Sequence, residues 1–326
     1  MARLGPVGME SRRLDQNAHA SERPRRVMII HNPVSGRAWT HRLVGDVAVR
    51  LRRRGWTVEV APTRRGGDAT ILAREAARDQ FPLVVAAGGD GTVNEVLQPL
   101  VGTGVALGVL PVGTVNLWAA ETGITSDPAG LAALFDRRSE RWVDVGRMGS
   151  RYFLLMASVG FDAAVVTAVS ERLKQRYGRL SYALAAGSLA RGYRGMPVRL
   201  RLDGREVTMN VLVLLIGNTR RYAGNWQPIP HAIADDGALD VLAIRGDRVW
   251  SGIPQLGALL RGARGERSAL FQGRAAEIEI EADGPIPVQM DGDAAGSTPA
   301  RFVVAPRALR VVVGRNSDGL FGVDHE

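Results

Sequence analysis

The sequence contains no cysteine. That single absence excludes disulfides, cysteine-ligated zinc, iron–sulfur clusters and thiol catalysis. Lysine is almost missing as well: Lys174 is the only one among 42 basic residues. Because Gln175 follows it, a P-loop of the GxxxxGK[ST] type is impossible. Histidine occurs only at positions 19, 31, 41, 231 and 325, which leaves no HExxH helix. There is no GxSxG elbow for a hydrolase serine. A membrane-spanning helix is lacking too. Residues 96–120 carry no charge, but Pro99, Pro111 and Gly102, Gly104, Gly108 and Gly113 break the stretch into helix end, turn, strand, turn and helix start.

What remains is an ordinary globular composition. The 326 residues are 45% apolar and 23% charged, with a net charge of +9, enough for roughly two cores. Residues 1–26 hold six arginines and three acids and no apolar signal segment, so a disordered basic leader is expected there. The basic surplus suits anionic lipid or anionic small molecules, or simply solvated arginine on helix faces. No nucleic-acid partner is expected, because the arginines are dispersed and no recognition helix is evident.

From residue 27 short apolar runs alternate with amphipathic stretches. Strands are predicted at Val27–His31, Thr57–Val60, Leu83–Ala87 and Val105–Leu110. Helices are predicted at Thr40–Arg54, from a cap at Asp68 to about Ala77, and at Thr92–Val101. Such alternation implies right-handed crossovers and a parallel sheet, with ligand-binding loops at the carboxyl ends of its strands. After about residue 145 the rhythm changes. Two helices, roughly 161–170 and 179–192, interrupt strand candidates at Val198–Leu202, Val207–Ile216, Leu239–Ile244, Ala276–Glu281, Val288–Met290, Phe302–Val304 and Leu309–Val313. Several of these alternate polar and apolar residues, as antiparallel strands with one wet face do. The expected division is a leader (1–26), an α/β nucleotide-binding domain (27–145), a β-rich domain (146–315) and a tail (316–326), with the active cleft between the two domains.

The strongest motif is Gly88-Gly89-Asp90-Gly91-Thr92-Val93-Asn94-Glu95, which joins a buried strand to a helix. Three glycines let backbone N–H groups approach an anion, and the helix N-terminus adds its positive end. Asp90 in such a cradle makes sense when a Mg²⁺ ion lies between it and phosphate. Two further loops, carrying Asn32, Ser35 and Arg37, and Gly113, Thr114 and Asn116, end neighbouring strands on the same rim. Together the three loops point to a nucleotide.

The segments NPVSGR, GGDGTVNEV and LGVLPVGTVNLWA, in this order, resemble the diacylglycerol-kinase catalytic family, in particular its soluble bacterial lipid kinases, with sphingosine and ceramide kinases as relatives. The likeness continues through VDVGRMGSRYFLLMASVGFDAAV, LKQRYGRLSY, GNTRRYAGN, DDGALDV and MDGD, covering about residues 27 to 315. It implies an α/β domain with a parallel sheet followed by a mostly antiparallel, β-sandwich-like domain. It further implies an ATP- and Mg²⁺-dependent lipid kinase in which Gly88–Glu95, Thr63 and Thr114 hold the nucleotide. A structural Mg²⁺ would be held by Asp236 and the carbonyls of Ile233 and Ala238. The general base would be the acid of a late DGE motif, here Asp293, whose reach is ~1.5 Å shorter than that of glutamate. Many relatives carry an acid where this chain has Leu117, which leaves Asp90 as the main carboxylate for the catalytic metal.

The lipid acceptor would be met peripherally at an anionic membrane surface, on the inner face from the cytoplasm, with Arg172, Lys174, Arg176 and Arg179 as a basic cluster toward headgroups or simply a solvated helix face. A homodimer is compatible with the sequence. The GGDG loop also occurs in kinases of soluble acceptors such as NAD or sugars, and a non-catalytic nucleotide- or lipid-binding module is the reading from outside enzymology.

Overall fold

The computed structural model describes residues 25–36, 39–113, 115–169, 179–224, 226–250, 270–315, 317 and 319–322. The leader to residue 24, Arg37, Thr114, the cluster at Arg172, Lys174 and Arg176 with the Arg179 side chain, and most of the tail lie outside the described residues.

The N-terminal alternation folds as β1 (Arg26–His31), α1 (Trp39–Arg53), β2 (Thr57–Pro62), α2 (Asp68–Arg78), β3 (Leu83–Gly88), α3 (Asp90–Leu100) and β4 (Ala106–Pro111). The run Leu-Val-Val-Ala-Ala-Gly of β3 is buried along its whole length, as a central parallel strand covered on both faces must be. Leu43, Val47 and Leu51, four residues apart on α1, are the stripe that packs onto the sheet. The parallel order is β2-β1-β3-β4. The chain runs from β1 to one side and returns on the other, so the β1–β3 boundary is a topological switch point, where open α/β sheets bind ligands beyond the strand ends.

Two local expectations are corrected here. The helix expected from Thr92 begins at Asp90, which puts the acid of the glycine loop in the first helical turn. Asp68 is not the cap of α2. Gly67, with φ 87°, precedes the helix, and the Asp68 carboxylate accepts from Arg64 N–H at 2.9 Å and Arg65 N–H at 3.2 Å, closing the turn before it.

Beyond β4 lie α4 (Leu117–Thr122), α5 (Pro128–Arg137), β5 (Glu140–Met148), β6 (Arg151–Phe153), β7 (Met156–Gly160), α6 (Phe161–Ala168), α7 (Arg179–Ala190), β8 (Met196–Leu202), β9 (Arg205–Gly217) and β10 (Leu239–Arg245). Then follow β11 (Leu270–Ala275), β12 (Glu277–Ala282), β13 (Pro287–Met290), β14 (Asp293–Ser297) and β15 (Ala300–Val312). Helix α5 exceeds the sequence expectation although its signal is plain: Asp127 accepts from Gly130 N–H at 2.5 Å and Pro128 fills the first turn. The alternation of Glu277 to Glu281 does what it predicts. Ile278 and Ile280 are buried, while Glu277, Glu279 and Glu281 form ion pairs with Arg199, Arg201 and Arg301 on the wet face.

The two strand candidates Phe302–Val304 and Leu309–Val313 form one strand, β15. Pro306 has no N–H and reads as a break, but the chain absorbs it as a register shift between Ala305 and Leu309 against β5. Arg307, at φ 46°, donates its N–H to Asp144 Oδ1 at 2.7 Å. The consequence is large. β15 pairs antiparallel with β12 and β5 and parallel with β4, so the parallel and antiparallel regions are one hydrogen-bonded mixed sheet. Two buried clusters flank it, one around β1, β3, β4 and their helices, the other around β7, β8, β9, β12 and β13. Among the described residues no helix is long and apolar enough to cross a membrane.

Candidate active site

The loops after β1, β3 and β4 meet at the carboxyl edge of the parallel strands. Asn32 donates its Nδ2 to Thr92 Oγ1 at 3.3 Å and accepts from Val34 N–H at 3.1 Å, which fastens the β1 loop to the start of α3. The approach is too close for side chains. A Cβ on Gly113 would lie 2.5 Å from Gly89 Cα, and one on Gly88 would lie 2.3 Å from Thr92 Oγ1. The opposite faces are open: a Cβ on Gly91 would meet nothing within 4 Å, and one on Gly89 only Ser35 Oγ at 3.6 Å. Glycine therefore serves two ends, letting the loops touch and leaving open space beside Gly89 and Gly91 at a helix N-terminus.

Thr92, Val93 and Asn94 are buried, whereas Glu95 is partly exposed. Val93 is core, Thr92 receives Asn32, and the Glu95 carboxylate accepts from Gly67 N–H at 3.0 Å. Thr63 is buried beside β1, its N–H donated to the His31 carbonyl at 2.9 Å.

Asp90 is the acid of the cradle. Its Oδ1 accepts from Leu117 N–H at 2.7 Å, so the residue standing where relatives carry an acid supplies a backbone donor instead. Burial pushes the Asp90 carboxyl up to about 6; the Leu117 amide opposes the rise and the nearby Asp291 charge adds to it. Asn116, at φ 54°, is buried, and its Oδ1 has no hydrogen-bond partner among the described residues.

The late MDGD segment arrives at the same place. It is a two-residue hairpin between β13 and β14, with Asp291 at φ 49° and Gly292 at φ 86°. The Asp291 carboxylate accepts from the N–H groups of Leu154, Leu155 and Met156 at 2.9–3.0 Å and from Asn94 Nδ2 at 2.9 Å. Burial raises its pKa, and those four donors work against the rise. The Asn94–Asp291 bond joins α3 to residues 197 positions away, a link that no local pattern foretells. Asp293 follows as the first residue of β14, partly exposed, and no hydrogen bond or ion pair holds its carboxylate among the described residues.

The loop carrying Ile233, Asp236 and Ala238 lies elsewhere, before β10. Asp236 accepts from Ala238 N–H at 3.2 Å and is ion-paired with Arg274 of β11. Asp144 accepts from Gly237 N–H at 2.6 Å, and Asp235 from Gly322 N–H at 2.7 Å. The only carboxylate of the expected metal set is thus already neutralised by a guanidinium, so this donor set does not fit a metal unless Arg274 leaves. Among the described residues no three His, Asp or Glu side chains converge as a metal site.

At the cradle the fit is better. Open glycine backbone, one desolvated carboxylate and one buried acceptor lacking a donor suit a phosphate chain carrying a hydrated Mg²⁺, an ion that keeps several waters and takes few protein ligands.

Residues 26–148 match the family described as the diacylglycerol kinase catalytic domain, and residues 156–313 the YegS C-terminal NAD kinase beta sandwich-like domain. A diacylglycerol kinase of Staphylococcus carnosus is 28% identical over 298 residues, covering 88% of this chain and 94% of its own. One from Staphylococcus aureus is 28% identical over 314 residues, covering 92% and 97%. A crystal structure from Bacillus anthracis str. Sterne superposes with a TM-score of 0.77 at 24% identity, covering 90% of this chain and 98% of that one.

Proposed function

Because residues 26–148 belong to the diacylglycerol kinase catalytic domain family and residues 156–313 to the YegS C-terminal beta sandwich-like family, we propose that this kinase-family protein phosphorylates a lipid, transferring the γ-phosphate of ATP to a hydroxyl of diacylglycerol or a related lipid. The observation that carries the reading is the bond between Asn94 and Asp291. It brings an anion cradle and a hairpin bearing a free carboxylate to one edge, which is what an in-line displacement needs.

In this reading the backbone of Gly88, Gly89 and Gly91 with the α3 N-terminus binds the nucleotide phosphates, and Asp90 holds Mg²⁺. The metal, when bound, neutralises charge on the phosphates. Asn32 and Ser35 border the cradle from the β1 loop. The acceptor hydroxyl attacks the γ-phosphorus, its proton passes to the Asp293 carboxylate, and the bond to the β-phosphate oxygen breaks to release ADP. No step is assigned to Asp236. The acceptor is met at an anionic membrane surface, where basic residues each contribute ~1 kcal/mol. Co-sedimentation with vesicles that strengthens with anionic lipid and weakens with salt is expected.

The test is incubation with labelled ATP, Mg²⁺ and total lipid extract, followed by identification of the product. Asp90→Asn and Asp293→Ala should each lower transfer by at least ~10²-fold while circular dichroism stays unchanged. Full activity in either variant overturns its assigned role. Transfer only to water-soluble acceptors overturns the lipid reading.

A further inference from the structure

We infer that Gln289 is a positioning residue: its carboxamide fixes the turn that carries Asp293 and thereby sets the rate of phosphate transfer without touching the nucleotide. The inference rests on the lipid-kinase reading above.

Gln289 is the third residue of β13 and has no solvent exposure. A buried carboxamide is costly unless both ends find partners. Here both do. Its Oε1 accepts from Gly292 N–H at 2.8 Å, within the hairpin turn itself. Its Nε2 donates to Ser158 Oγ at 2.9 Å, with Tyr222 Oη at 3.4 Å and Asp162 Oδ2 at 3.5 Å beyond. Ser158 and Tyr222 both donate to Asp162 Oδ2, Tyr222 at 2.6 Å. Strand β7, helix α6 and the segment after β9 thus contribute to one polar knot, and Gln289 is the arm by which that knot reaches the turn.

The division of labour within the turn is specific. Asp291 pins its first residue to α3 and to the backbone of residues 154–156; Gln289 pins its second, Gly292. Asp293 is the next residue; its carboxylate has no partner among the described residues, and its backbone stands opposite Met290 in the hairpin ladder. Its place therefore depends on Gly292 together with that pairing. Val288 and Met290 point to the opposite, apolar face of the strand, whereas Gln289 faces Ser158, Tyr222 and Asp162, so a carboxamide there answers to polar neighbours on one side and the turn on the other. A catalytic group displaced by about 1 Å loses roughly a hundredfold in rate.

The test compares wild type, Gln289→Leu, Asp293→Ala and the double variant. Gln289→Leu should lower kcat by about tenfold to hundredfold. KM for ATP and nucleotide affinity should stay within about twofold of wild type. The Gly292 amide should lose hydrogen-exchange protection, and Gln289→Leu should add nothing to the loss already seen in Asp293→Ala. If Gln289→Leu does not fold, Ser158→Ala is read in its place, with a smaller kcat loss in the same direction. Wild-type kcat in a folded variant, an equal loss of nucleotide affinity, or full additivity with Asp293→Ala overturns the inference. A wild-type protein that phosphorylates no lipid overturns the kinase reading instead; Gly292 protection then reports separately whether the tether exists.

Discussion

Asp90 sits where its charge is poorly solvated. Its pKa of about 6 lies above that of an exposed aspartate, so the folded protein binds this proton more tightly than the unfolded chain does. For an acid shifted upward, stability is greatest below the ordinary value and falls as pH rises through the window from about 4 to about 6. Asp90→Asn can still accept from Leu117 N–H and carries no such penalty. In the ligand-free protein the variant should match wild type near pH 4 and exceed it by ~2 kcal/mol at pH 7, read from urea denaturation at both pH values. A wild type more stable than the variant at pH 7 would show that the desolvation argument fails. The same substitution is expected to weaken binding of Mg²⁺–nucleotide, so stability and function are opposed at one carboxylate. The glycine-flanked acid was legible in the sequence because its chemistry is local. The tasks of Asn94 and Glu95 were not, since what these side chains touch is set by elements distant in the chain.

At the scale of elements, short helix α4 is tied to the segment after β9 by a buried charge. The Glu121 side chain is fully buried and accepts from Arg220 Nε at 2.6 Å and Arg221 N–H at 2.9 Å. Removing one partner of such a pair leaves the others uncompensated, and Glu121→Ala should cost about 3 kcal/mol, measured by chemical denaturation. α4 also starts at Leu117, whose amide holds Asp90, so the variant should weaken nucleotide binding as well. Unchanged stability and binding would show that the ion pair is dispensable. Elements with strong periodicity, such as α1 and the buried β3, follow the sequence expectation to within a residue or so. Those shaped by a tertiary partner do not: β15 runs straight through Pro306 because Asp144 and β5 hold the bulge.

Across the whole molecule, the last long strand binds the first sheet. Arg310 and Val311 pair with Ala106 and Leu107 of β4, and Phe302 to Val312 pair with Met148 to Glu140 of β5. Residues 26–148 expressed alone would expose the free edges of both β4 and β5. That fragment should aggregate or bind hydrophobic dyes without near-ultraviolet circular dichroism, whereas the full chain gives fixed tertiary signals. A well-folded, soluble monomer of the fragment would contradict this dependence. The sequence by itself determined the α/β alternation, the antiparallel rhythm that follows it and the glycine cradle, because periodicity and turn chemistry act over a few residues. Only the tertiary structure decided that β15 returns to β4, that Asp291 locks the MDGD hairpin onto α3, and that Arg274 neutralises Asp236. Each of those contacts joins groups tens to hundreds of residues apart, and their partners are selected by three-dimensional packing, which a linear pattern does not encode.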